Sequence, residues 1–114
     1  MNAKAIAQYI KDSKEEDISL VCMGLDGKAQ TGEDNLCAYY IKSLLENNEI
    51  SLENEIEKLK TTSGAKFFDK EQQDVFPNKD FYLSTEVNKF NFVLKLEKDN
   101  NGLDYIRKID VKFV

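Results

Sequence analysis

Apolar positions along this chain change their period several times, and each change marks an expected element. Ala3, Ile6, Ala7 and Ile10 recur at the three-to-four spacing of one helix face, with Asn2 placed to cap it and the charged stretch 11–17 to end it. Residues 18–23, Ile-Ser-Leu-Val-Cys-Met, are then almost continuously apolar, include β-branched members and are followed at once by glycine. That pattern predicts a buried strand in preference to a short helix.

Gly24-Leu25-Asp26-Gly27 reads as a tight turn. Beyond it Leu36, Tyr40 and Leu44, widened by Cys37, Ile41 and Leu45, form the core-facing stripe of a second helix. Thr31 or Gly32 is the expected cap. Glu33 and Asp34 fall in the first turn, where the helix dipole favours a negative side chain by roughly 0.3–1 kcal/mol. Asn47 and Asn48 punctuate the end of this helix.

A third helix is expected from Ser51, burying Leu52, Ile56 and Leu59 and leaving Glu53, Glu55, Glu57, Lys58 and Lys60 as its solvated face. Thr61-Thr62-Ser63-Gly64 is either a break or the cap of a short fourth helix carrying Ala65 and Phe68. Pro77, the only proline, closes a polar loop. In the last third two patterns compete. Phe90, Phe92, Leu94 and Leu96 alternate, as do Leu103, Tyr105, Ile109, Val111 and Phe113, and Asn101-Gly102 lies between them, which is a hairpin signal. Leu83, Val87, Phe90 and Leu94, then Tyr105, Ile106 and Ile109, equally fit helices leading into a terminal strand at 110–114. The local pattern leaves both open.

A helix, an apolar strand, a glycine turn and a second helix suggest an α/β class. The size of 114 residues and a 41% hydrophobic content fit one packed domain, residues 1–114. Twenty-one acidic against 16 basic side chains give a net charge of −5, which disfavours nucleic acid and anionic membrane as partners. Arg107 is the only guanidinium, so an arginine clamp on a polyphosphate is not expected. No apolar run approaches the roughly 18 residues that span a bilayer, and no leader follows Met1, so the expectation is a cytoplasmic protein.

The two cysteines, Cys22 and Cys37, are too few for a structural zinc site without other ligands and read as buried thiols. The complete absence of histidine is more decisive. It removes histidine nucleophiles, histidine-activated triads and histidine metal ligands from this chain. What remains is the junction at residues 18–45, where a turn and a helix N-terminus bring backbone N–H groups and carboxylates to one place, a candidate anion or metal site.

Three stretches within residues 2–45 carry a family resemblance: Asn2-Ala3-Lys4-Ala5-Ile6-Ala7, Val21-Cys22-Met23-Gly24-Leu25-Asp26-Gly27 and Glu33-Asp34-Asn35-Leu36-Cys37-Ala38. Together they resemble the C-terminal half of the 2-phosphosulfolactate phosphatase family. The resemblance implies the C-terminal domain of a longer protein and a three-layer α/β/α fold with a mixed sheet, of which this chain supplies the helix-rich part and few strands. It implies that residues 80–110 are mostly helical. It also implies magnesium-dependent hydrolysis of a phosphate monoester to sulfolactate and phosphate, in coenzyme M biosynthesis. Two departures stand out: Tyr39 replaces a residue that is usually small, and the N-terminal half of the family, with its acidic, arginine- and threonine-containing motif, is missing. The chain is therefore expected to supply part of a site and to be inactive alone.

Under that resemblance Gly24, Asp26, Gly27 and Lys28 are the candidate substrate-binding residues, for a small anionic phosphate or sulfonate. The glycines let the backbone approach an anion, and Lys28 adds a point charge. The segment is not a Walker loop, since no glycine-lysine-serine or glycine-lysine-threonine sequence occurs. Cys22 and Lys28 are spaced like the ends of a cysteine-phosphatase loop, but lysine stands where such loops need arginine. For Mg2+ the candidate ligands are Asp34 first and Glu33 second, because consecutive helical carboxylates diverge by roughly 100° and only one faces a shared site. Asp26 is a further carboxylate within reach. No nucleophile is assigned. The alternative is a nonenzymatic interaction or anion-binding module that keeps the fold. A small sheet with open edges also leads to an expected homo-oligomer.

Overall fold

A computed structural model describes residues 1–113. Four α-helices, α1 (Ala3–Ser13), α2 (Gly32–Leu45), α3 (Glu53–Leu59) and α4 (Asn78–Thr85), precede an antiparallel hairpin of β1 (Phe92–Lys98) and β2 (Asp104–Asp110). Short 3-10 turns at Ala65–Phe68 and Lys70–Gln72 link α3 to α4.

The first helix occupies the middle because it is lined with alanine on two sides. Ala3 enters the main core with Leu36, Tyr40, Ile41, Leu52, Leu59 and Phe81, while Ala5 packs in a second cluster against Val93 and Val111 of the hairpin region. Small side chains permit this close approach on both sides. Asn2 does not cap α1 through its side chain; its Nδ2 donates to the carbonyl of Phe92 at 3.3 Å, tying the chain start to β1. α2 stops where Asn47 takes a φ of 58°, and its N–H and that of Asn48 donate to the carbonyls of Leu44 and Ser43 at 3.2 and 2.8 Å. Between α3 and α4, a Cβ on Gly64 would lie 2.6 Å from the Phe81 ring. Glycine there lets Phe81 sit between Phe67 and Phe68, with centroids 6.3 and 5.1 Å away.

Three expectations are corrected. Residues 80–110 are not mostly helical: after α4 ends at Thr85 the chain forms the hairpin, with Phe92 opposite Asp110 and Lys98 opposite Asp104. Its turn closes because the Asp99 carboxylate accepts from the N–H groups of Asn101 and Leu103 at 2.8 and 2.9 Å while Gly102 adopts a φ of 78°. The terminal strand expected at 110–114 is instead β2, which ends at Asp110; Val114 lies outside the described residues.

Residues 18–23 are the third correction. They form no strand and are not buried: Val21 is 78% and Met23 73% exposed. No backbone–backbone hydrogen bond among the described residues involves positions 15–24. The apolar run that reads as a sheet core therefore lies open, paired with neither β1 nor β2. Four helices and a two-stranded antiparallel sheet are compatible with an α/β class. Among the described residues, no helix is long and apolar enough to cross a membrane.

Candidate functional site

The turn after residue 23 closes on itself. The Leu25 N–H donates to the Ala29 carbonyl at 2.8 Å, and the N–H groups of Lys28 and Ala29 donate back to the Leu25 carbonyl at 2.9 and 3.2 Å. So sharp a reversal needs left-handed backbone at Gly24 (φ 68°), Asp26 (54°) and Gly27 (67°). At Gly24 no side chain fits, because a Cβ would meet the Ala29 carbonyl oxygen at 2.0 Å. Asp26 tolerates this conformation better than most residues would.

The turn is fastened to α2. One carboxylate oxygen of Asp34 accepts the Gly24 N–H at 2.7 Å, a short contact for a hydrogen bond to a charged acceptor. Thr31 precedes the helix with extended backbone and makes no side-chain cap bond, so the first N–H groups of α2 are left without a side-chain acceptor from Thr31. Glu33 points elsewhere: Ser63 Oγ donates to its carboxylate at 2.9 Å, across the junction with the loop after α3. Gly32 makes this junction tight, since a Cβ there would lie 2.7 Å from both Leu59 Cδ2 and Ser63 Oγ.

Of the residues singled out in the sequence, the structure thus joins Gly24 and Asp34 and separates Asp34 from Glu33. Asp26, Gly27 and Lys28 lie exposed at the tip of the turn. Lys28 makes no ion pair among the described residues, which leaves its charge available. No group of three or more histidine, cysteine, aspartate or glutamate side chains that could hold a metal occurs among the described residues. Asp34 alone offers one carboxylate, with its second oxygen free of any hydrogen bond described. A magnesium ion takes one or two carboxylates and completes its shell with water and phosphate oxygens. This chain therefore fits such an ion as the donor of a single ligand.

Beside Asp34 lies a hollow of about 210 Å3 bounded by Leu20, Val21, Cys22, Met23, Cys37, Ala38 and Ile41. Its walls are otherwise apolar. Cys22, expected to be buried, is exposed, and Cys37 is half-buried, because the segment over α2 is not covered by a sheet. Tyr39 stands 66% exposed on the outer side of α2.

Two polar networks escaped sequence reasoning. Tyr40 Oη donates to Glu49 at 2.7 Å and accepts from Asn88 Nδ2 at 3.1 Å, and Asn88 Oδ1 in turn accepts the Lys4 N–H at 2.9 Å. Burial, then the Glu49 contact, raises the Tyr40 pKa, whereas the bond from Tyr40 lowers that of Glu49. On the hairpin, Arg107 grips Glu97 with two bonds of 3.0 and 2.7 Å, and Tyr105 adds a third at 2.8 Å. The only arginine is thus committed to strand pairing. The Asn101-Gly102 turn carried the signal for the second network, because it sets Glu97 opposite Tyr105.

Taken together, the four helices and the antiparallel hairpin are compatible with an α/β protein, and its turn-to-helix junction carries Lys28, without an ion pair among the described residues, and the Asp34 carboxylate bonded to Gly24. The family model for 2-phosphosulpholactate phosphatase matches residues 1–99, and the chain belongs to that family. It is 33% identical over 101 residues to a probable 2-phosphosulfolactate phosphatase of Bacillus subtilis (strain 168), a match covering 86% of this chain. The chain spans 42% of that relative's length. No solved structure matches it.

Proposed function

We propose that this chain acts as the C-terminal domain of a magnesium-dependent phosphomonoesterase that cleaves 2-phosphosulfolactate, and supplies one wall of its site. Family membership supports the reaction class, and the Gly24–Asp34 clasp is the observation that carries the assignment of the wall. In this reading the tip of the turn, Asp26, Gly27 and Lys28, receives the anionic end of a small phosphate or sulfonate. Lys28 neutralises charge there, and the glycines leave room for close backbone approach. Asp34 donates one carboxylate oxygen to Mg2+ while its other oxygen holds the turn; Glu33, bonded to Ser63, supports the helix junction. Bound magnesium would polarise the phosphoryl group.

The remaining ligands, the nucleophile and the paired strands of a three-layer α/β/α fold with a mixed sheet come from the portion of the family fold beyond this chain. The protein works in the cytoplasm, in coenzyme M biosynthesis, and neither nucleic acid nor membrane is its partner. This chain alone is inactive and associates with a second copy.

The test measures phosphate release from 2-phosphosulfolactate by the protein expressed from its complete reading frame, with and without Mg2+. Magnesium-dependent release that falls at least about 100-fold in Asp34→Asn is expected. Unchanged turnover in the variant would remove Asp34 from the site. Tyr39, large and exposed on α2 where the family has a small residue, supports a second reading, a nonenzymatic anion-binding or interaction module. Sulfonate binding in calorimetry without any phosphate release would establish that alternative.

A further inference from the structure

We propose that Cys22 and Cys37 form an oxidisable thiol pair, a modification site whose co-reactant is a hydroperoxide and whose product is an intramolecular disulfide. Both thiols line the same hollow over the first half of α2. Cys22 Sγ lies 3.5 Å from the Asp34 carbonyl oxygen, and Cys37 is three residues beyond Asp34 on the same helix. A helical side chain leans toward the turn before it, so Cys37 covers the turn on which Cys22 rests.

The two thiols differ in the way a stepwise oxidation requires. Cys22 is exposed, on a segment with no backbone–backbone pairing to hold it, and is the thiol that an oxidant reaches. Cys37 is half-buried on α2 at the back of the hollow and is the thiol reached second. In the first step the Cys22 sulfur attacks one oxygen of hydrogen peroxide, the O–O bond breaks, and Cys22 becomes a sulfenic acid while the departing hydroxide takes up the proton released by the Cys22 thiol and leaves as water. In the second step the sulfur of Cys37 attacks the sulfenic sulfur, the S–O bond breaks, and the departing oxygen takes the Cys37 proton. The pair loses two electrons and peroxide is reduced to two waters.

The cross-link would tie residues 18–23 to α2 one turn beyond Asp34, directly behind the Gly24 clasp. The inference rests on the placement of the thiols and is independent of the phosphatase reading.

The experiment treats the chain with hydrogen peroxide, alkylates the remaining thiols and digests with trypsin. Cleavage at Lys28 separates the two cysteines, so a disulfide joins peptide 15–28 to peptide 29–42. The expected result is that linked pair in monomeric protein, reversed by dithiothreitol, with a thermal midpoint raised by about 5 °C or more in the oxidised form. In Cys37→Ser the reaction is expected to halt at a Cys22 sulfenic acid that dimedone traps. Oxidation of Cys22 to sulfinic acid while Cys37 remains alkylatable, or linked peptides found solely in covalent dimers, would overturn the proposal.

Discussion

The carboxylate of Asp34 accepts the backbone N–H of Gly24 at 2.7 Å, so a side chain in the first turn of a helix holds the glycine turn that precedes it. The bond is charge-assisted and half-buried, and it fastens a segment that has no strand partner. Asp34→Ala should cost about 1–2 kcal/mol in urea denaturation, whereas Asp34→Asn, which keeps an acceptor, should cost less than about 1 kcal/mol. Equal losses in the two variants would mean that the bond contributes little.

Gly24 and Gly102 allow a controlled comparison of two left-handed glycines. Both have positive φ, 68° and 78°, but a Cβ at Gly24 meets the Ala29 carbonyl at 2.0 Å, while one at Gly102 meets nothing within 4 Å. Gly102→Ala should cost about 1 kcal/mol, the conformational penalty alone. Gly24→Ala should cost at least about 2 kcal/mol or break the Leu25 to Ala29 pairing, which amide exchange at Leu25 and Ala29 would report.

The helices were legible because their stripes are long and regular: Leu36, Tyr40 and Ile41 are buried as the spacing demands. The hairpin was legible too, through Asn101-Gly102, whereas the family resemblance implies helices over the same residues. Residues 18–23 failed for a different reason. An apolar run states what a segment prefers to be buried against, and no strand among the described residues pairs with 18–23 to deliver that burial. At the site, helix geometry foretold that Glu33 and Asp34 diverge. It could not foretell Ser63, thirty positions away, as the partner of Glu33.

Acid should loosen the hairpin. Hydrogen bonds from Arg107, then Tyr105, hold the Glu97 carboxyl below its usual range, so its folded value is the lower one. A depressed carboxylate contributes stability that is present above its unfolded value and is lost as pH falls through the folded one. The wild-type hairpin should therefore lose amide protection as pH falls below about 4.5, beside any loss at the Glu49–Tyr40 contact, whose carboxyl is also held low. Glu97→Gln should flatten that dependence and start from lower stability. An identical acid profile in the variant would assign the titration to other carboxylates.

The open apolar segment should drive self-association. Val21 and Met23 are more than two-thirds exposed, and positions 15–24 have no backbone–backbone hydrogen bonds, so a second chain can satisfy polar backbone and bury side chains in one step. The hairpin offers a competing surface, since Leu94, Leu96 and Ile106 share its outer face and are each about 65% exposed. Lysine substitutions separate the two. Light scattering at rising concentration should show dimers or larger species in the wild type. Val21→Lys should shift that equilibrium toward monomer by about tenfold or more, while Leu96→Lys should change it by less than about threefold. Monomer at every concentration would remove the oligomer. The reverse order of the two variants would move the contact to the hairpin.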